Sequence, residues 1–154
     1  MANTASTVFD TTGLSEDEVE LVEIEKRMAL AQNVEGITGG WDDQAVYFDF
    51  GPERFQDKAE ATAEIARQFE NVTNLRTRIL ELDVRAEGAI GYAFSRQNFI
   101  ADSAGGGPEL NFVFRETDIF LKKDGQWRLI HQHLSVPTDL TSGSVVFYSE
   151  VSEI

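Results

Sequence analysis

Four long segments in the second half of the chain constrain its fold more than any other feature. Leu75 to Ala86, Ala89 to Ala101, Leu110 to Lys123 and Gln126 to Val136 are all rich in β-branched and aromatic residues. Turn chemistry separates them. Glu87-Gly88 and Asp124-Gly125 are hairpin signals, the second a strong one because both residues tolerate positive φ. The stretch from Asp102 to Pro108, with three consecutive glycines, reads as a loop. Segments of roughly a dozen residues are about twice the length of an ordinary strand. A sheet built from them must twist and bend, and something has to fill the bend.

The first half supplies that filling. Ser15-Glu16-Asp17-Glu18 has the spacing of a capping box, so a helix is predicted from Ser15, with Leu21, Ile24, Met28 and Ala31 as its apolar stripe. Glu16, Glu18, Glu20, Glu23 and Glu25 read as a solvated acidic face that favours the helix dipole. Gly36, Gly39 and Gly40 end this element, and Ala45 to Phe50 reads as a short strand stopped by Gly51-Pro52. Asp57 and Glu60 then open a second helix carrying Ala61, Ile65 and Phe69, which runs out near Asn71.

Helix, strand, helix and a run of antiparallel strands predict an α+β domain with helices packed on the concave face of one curved sheet. A length of 154 residues suits one domain. Its expected limits are a poorly ordered N-terminus over 1–14, a folded unit over 15–137 and a C-terminal tail over 138–154. On the third long segment Phe112, Phe114, Glu116, Asp118 and Phe120 share one face, and Val113, Arg115, Thr117, Ile119 and Leu121 the other. Both faces are substantially apolar and the helices can cover only one. The other is expected to meet a second copy across a two-fold axis, as a homodimer. The tail's apolar run, Val145 to Tyr148, is expected to pack over the hollow or across that dimer.

Charge and composition narrow the function. Lys and Arg total 13 against 27 Asp and Glu, and the resulting net charge of -14 opposes binding to phosphate backbones and anionic lipid surfaces. No cysteine is present, which removes disulfides, thiolate catalysis and Cys-based metal sites. Met1 to Gly13 carries no basic residue, and no run of about 18 apolar residues occurs. A soluble, cytoplasmic protein is the expectation.

The stretch from Trp41 to Pro52, the helix after it, and the run from Thr117 to Pro137 together resemble the SnoaL-like domain family. That family is a branch of the superfamily that includes nuclear transport factor 2, ketosteroid isomerase, scytalone dehydratase and the association domain of calcium/calmodulin-dependent kinase. The closing D-G-x-W-x-x-x-H-x-H-x-S-V-P pattern is its most specific part, and the resemblance spans about residues 16 to 137. It implies a cystatin-like, cone-shaped curved sheet with a hydrophobic pocket between helices and sheet. Carried over by position, Asp49 falls where ketosteroid isomerases keep their general base, and Asp118 where they keep the oxyanion-hole acid. The helix-one Tyr of those enzymes would fall near Glu25 or Lys26, and none is present. The same carry-over assigns Ile130, Gln132 and Leu134 to the pocket face of the last strand, and Tyr92, Phe94, Arg96 and Asn98 to that of the second long strand.

Each constellation has two readings. Asp49 and Asp118 serve as an acid–base pair if an apolar site raises one pKa and not the other. Otherwise Arg96 simply pairs with Asp118, and Asp49 caps the turn at Gly51-Pro52. His131 and His133, two apart on a strand, project to one face as divalent ligands do. With no third His they read instead as interface histidines, and no metal is assigned. The aromatic side chains Trp41, Tyr47, Phe55, Tyr92, Phe94, Phe112, Phe114 and Phe120 are either core or pocket lining for a hydrophobic ring system.

The functional expectation is a cofactor-independent isomerase, dehydratase or cyclase of a small hydrophobic carbonyl compound. The alternative is a non-catalytic homodimeric domain that binds a small ligand, with Arg96 as charge partner, or that serves only for association.

Overall fold

The computed structural model describes residues 9–146. The expected poorly ordered N-terminus falls mostly outside them, although Phe9 and Leu14 within it pack against the core. The tail run is described only as far as Val146.

Helix α1 (Glu16–Ala29) starts at the predicted capping box: the Glu18 amide donates to Ser15 Oγ at 3.2 Å, and the Ser15 amide to Glu18 Oε2 at 2.9 Å. A short helix α2 (Val34–Thr38), capped by Asn33, occupies the glycine-containing stretch that sequence reading left without an element. Strand β1 (Trp41–Phe48) begins earlier than expected and ends just before Asp49. After the two-residue strand β2 (Arg54–Phe55), Asp57 accepts the Glu60 amide at 2.9 Å and opens helix α3 (Lys58–Phe69). The long strands follow as β3 (Val72–Glu87), β4 (Ile90–Ser103), β5 (Leu110–Lys123) and β6 (Gln126–Ser135). In the tail, β7 (Thr138–Asp139) and β8 (Ser144–Val145) form a small hairpin.

Among the described residues the main sheet has the order β2-β1-β6-β5-β4-β3. The four long strands pair antiparallel through the two predicted hairpins and the glycine loop, whereas β1 lies parallel to β6. The helices cover the concave face. Leu21, Val22 and Met28 of α1 and Ala61 and Ile65 of α3 meet Tyr47, Ala93, Phe114, Phe120 and Leu134 in one core.

A bulge in β6 decides which of its residues face that core, and it corrects the sequence reading. Between Ile119 and Phe120 of β5 the partner strand advances from His131 to Leu129, so Ile130 is an extra residue. The alternation flips there. Trp127 and Leu129, which alternation from the expected pocket face of Ile130, Gln132 and Leu134 puts outside with the histidines, are 4% and 1% exposed and lie in the core. The register also shifts between Thr73 and Arg76 and between Ile79 and Glu81 of β3, and between Trp41 and Val46 of β1.

On β4 the expected pocket face is the outer one. Tyr92 and Phe94 are 39% and 50% exposed, and Arg96 binds Glu81 through two bonds of 2.8 Å. Asn98 is buried, but its amide donates to Asn111 Oδ1 at 2.9 Å and the Phe112 carbonyl at 3.2 Å, on the same outward alternation. The concave positions carry Gly91, Ala93, Ser95 and Gln97 instead. Size explains this: a Cβ on Gly91 would come within 2.7 Å of Leu21 Cδ1 and 3.3 Å of the Trp127 ring. Helix α1 packs so closely that only small side chains fit, and the large aromatics are left for the other face. No described helix is long and apolar enough to cross a membrane.

Candidate active site

Between the helices and the concave sheet lies a cavity of about 360 Å³. Its walls are mostly apolar: Met28, Ile37, Ile65, Phe69, Phe99, Phe112, Phe114 and Leu134 contribute, with Phe50 packing edge-on against Phe112 and Phe114 at ring distances of 5.8 and 5.4 Å. Polar side chains also reach it, among them Tyr47, Gln68, Gln97, Glu116 and Gln132. This is the composition expected of a small-molecule site: apolar surface with a few placed polar groups.

Glu116 and Asp118 point inward from the middle of β5, two residues apart and therefore on one face. Gln97, from β4, donates to Glu116 Oε1 at 2.9 Å, and Gln132, from β6, donates to Asp118 Oδ2 at 3.3 Å. The third acid is Glu25. It follows Leu21 by four positions and precedes Met28 by three, so it stands on the apolar stripe of α1 and is 1% exposed, not on the solvated face where sequence reading put it. One carboxyl oxygen from each of Glu25, Glu116 and Asp118 lies within 4.8 Å of the others. Among the described residues, Glu25 Oε1 and Asp118 Oδ1 have no hydrogen-bond donor.

Burial is the main cause that raises all three pKa values. Glu25 is pushed up to about 8, with the Glu116 charge adding to burial. Glu116 is raised well above the ordinary carboxylate range by burial and then by Asp118. Asp118 is raised by burial and then by Glu25. Asp118 is wholly buried and does not reach the cavity wall, whereas the partial exposure that Glu116 keeps is to the cavity it lines. The acids could gather around a cation, but a hard cation takes about six to eight oxygens. Gln97 and Gln132 each turn an N–H group onto one of these carboxyls, which favours the ionised form and opposes the effect of burial without overcoming it.

Asp49, immediately after β1, accepts the Phe50 amide at 2.7 Å and a hydrogen bond from the Gln68 amide of α3. Tyr47 keeps its proton more firmly than usual, first through burial and then through the charge and hydrogen bonding of Asp49. Tyr47 and Gln68 line the cavity, and Asp49 sits behind them.

Of the residues expected at the site, Tyr47, Gln132 and Leu134 reach the cavity, and Asp49 and Asp118 each stand one side chain back. Tyr92, Phe94, Arg96 and Asn98 do not belong to it, and the suggested Arg96–Asp118 pair is replaced by Arg96–Glu81. His131 and His133 flank Phe48 on the outer face, the first with Nδ1 at 2.9 Å from the Val46 carbonyl. Sequence reasoning missed Glu25, Glu116, Gln97 and Gln68. The signal for Glu116 was its shared face with Asp118, and for Glu25 its place among apolar stripe residues.

The model of the family described as "SnoaL-like domain" matches residues 26–139. Among solved structures, a nuclear transport factor 2-like protein of unknown function from Pseudomonas putida is 24% identical, covers 85% of this chain and 94% of its own, and superposes with a TM-score of 0.75. A nuclear transport factor 2-like superfamily protein from Salmonella enterica is 13% identical over 84% of this chain and 96% of its own, with a TM-score of 0.72. A ketosteroid isomerase-like protein from Erwinia carotovora is 17% identical over 79% and 96%, with a TM-score of 0.67. Comparison with curated proteins finds no match.

Proposed function

Because the chain belongs to the SnoaL-like domain family, and one fold hosts many chemistries, the cavity itself must carry the functional argument; we propose that it binds a small hydrophobic carbonyl compound and moves a proton on it without a cofactor. The observation that carries this reading is Glu116, a carboxyl favoured in its acid form on the wall of an apolar cavity. Such an acid donates a hydrogen bond to a carbonyl oxygen, and the bond strengthens as negative charge develops there.

Asp49 is assigned the role of base. It takes a proton from the carbon beside the carbonyl, the C–H electron pair becomes the new C=C bond, and the C=O π pair moves to oxygen, which takes the Glu116 proton. Return of the proton from Asp49 to a different carbon, with the oxygen giving its proton back to Glu116 as the C=O re-forms, completes an isomerisation. From the same intermediate, departure of a β-hydroxyl that takes the proton from Asp49 and leaves as water, while the oxygen returns its proton to Glu116 and the C=O re-forms, is a dehydration. Asp118 acts from behind, by holding Glu116 in its acid form.

A second reading, ligand binding without turnover, draws on the Gln68 amide that covers Asp49. For the base to work, Gln68 has to turn aside. Incubating the protein in D2O with a panel of cyclic and unsaturated ketones and following the α-hydrogens by NMR separates the two. Exchange in the unmodified protein that drops about a hundredfold or more in Glu116→Gln and in Asp49→Asn supports catalysis, since a positioned acid or base contributes at least that much. Saturable binding with no exchange supports the second reading.

The same reading includes a cytoplasmic homodimer joined through the outer sheet face. Its support is the exposed row of Ile90, Tyr92 and Phe94 on β4, in a chain whose helices cover the other face.

A further inference from the structure

We infer that Glu25 is a positioning residue of this site: it is the far end of a proton chain that runs from Glu116 at the cavity wall through Asp118 to helix α1, and its own proton decides how freely Glu116 offers its hydrogen to a ligand. The inference rests on the reading of Glu116 as the acid.

The geometry supplies the chain. A carboxyl on the apolar stripe of a helix is costly to bury unless something neutralises it. Among the described residues no donor reaches Glu25 Oε1 and no salt bridge involves Glu25: Lys26, its neighbour, turns outward to Glu23 at 3.0 Å. The charge it feels is that of Glu116, and Asp118 reaches it through a hydrogen bond; Glu116 in turn feels the charge of Asp118, and Asp118 that of Glu25. On the far side, Asp49 and Glu64 act through Tyr47 and bring more negative charge, not less.

The hydrogen bonds give the chain an order. Gln97 occupies Glu116 Oε1 and Gln132 occupies Asp118 Oδ2, which leaves the remaining oxygens to face other carboxyls. Glu25 Oε1 and Asp118 Oδ1, both fully buried, lack any donor among the described residues. A proton held between them satisfies both at once, because a protonated carboxyl is a donor and its neighbour an acceptor. When the group loses its first proton, the charge settles on Glu25, off the cavity wall. Asp118 then donates to Glu25, and Glu116 turns its hydrogen towards Asp118 and away from the ligand. While Glu25 keeps its proton, that pull is absent.

Carboxyl carbon NMR of the full chain, with Glu25, Glu116 and Asp118 assigned individually, tests this over a pH series. In the unmodified protein Glu25 should be the first of the three to ionise, near pH 8, and the Glu116 and Asp118 signals should shift at that same pH while keeping their protons. In Glu25→Gln that shared step should vanish from both curves with Glu116 still protonated at neutral pH. A decline in α-hydrogen exchange through the same pH, present in the unmodified protein and absent in Glu25→Gln, would link the chain to the chemistry.

Titration of Glu25 in the ordinary carboxylate range, or persistence of the step on Glu116 in Glu25→Gln, overturns the inference. Should the variant not fold, the curves of the unmodified chain decide it alone. If Glu116 stays protonated but does not sense Glu25, only the role of Glu25 falls; if Glu116 itself titrates in the ordinary range, the acid reading of the site falls with it.

Discussion

Three acids packed together inside a domain make its stability depend on pH in an unusual direction. A carboxyl raised in the folded state binds its proton there at pH values where the unfolded chain has released it. The folded state therefore holds more protons between the ordinary carboxylate range and about pH 8, where Glu25 ionises, and stability falls as pH rises through that window. Each additional proton held corresponds to a loss of about 1.4 kcal/mol per pH unit. Asp17, Glu18 and Asp42 are shifted the other way, by hydrogen bonds with Lys122, Ser15 and Lys123 respectively, so their contribution is lost only on the acid side. Thermal melts across a pH series should show a maximum in mildly acid buffer and a fall towards pH 8, and Glu25→Gln should flatten that fall. A curve that instead climbs steadily to pH 8 would mean that the three acids are ionised in the folded protein.

At the level of elements, the close seat of α1 on the sheet hangs on Gly91. Gly91→Val places a methyl-bearing carbon against Leu21 and Trp127, two residues with almost no exposure and no room to yield. A loss of about 1 to 3 kcal/mol, read from chemical denaturation, is the expected cost of such overpacking. The same position shows what the sequence could tell. Helix caps, hairpin turns and the four long strands were legible because each is set by residues close together in the chain: Ser15 with Glu18, Asp57 with Glu60, Asp124 with Gly125. Which face of β4 turned inward was not. Two-residue alternation defines two faces without saying which one a helix will cover, and carry-over from the resemblance chose the one bearing Tyr92 and Phe94, which faces outward. The bulge at Ile130 was equally hidden, since nothing local marks an extra residue in an apolar run. The candidate site was half legible for the same reason. Asp118 came from the family resemblance and Tyr47 from the set of aromatic candidates, whereas Glu25 was concealed by its acidic neighbours on α1 and Gln68 by the distance along the chain to Asp49.

For the molecule as a whole, the outward aromatics of β4 take on the part that the wrong face assignment had denied them. If two copies meet there, Tyr92→Ser combined with Phe94→Ser should convert a dimer to a monomer by light scattering at micromolar concentration, with the fold intact by circular dichroism. A single-chain mass for the unmodified protein would remove the dimer. A second large-scale consequence lies in the central seam, where β1 runs parallel to β6. A parallel neighbour cannot be supplied by a tight turn, and here it arrives only after the four-strand meander has been made. During synthesis β1, with its buried Trp41 and Tyr47, has only its short pairing with β2 available at first, and waits for the last long strand to emerge before its hydrogen bonds to β6 can close. Such late, long-range closure is slow and leaves apolar surface open in the interval, so the nascent chain spends its most vulnerable moments with one whole edge of its earliest strand unmated.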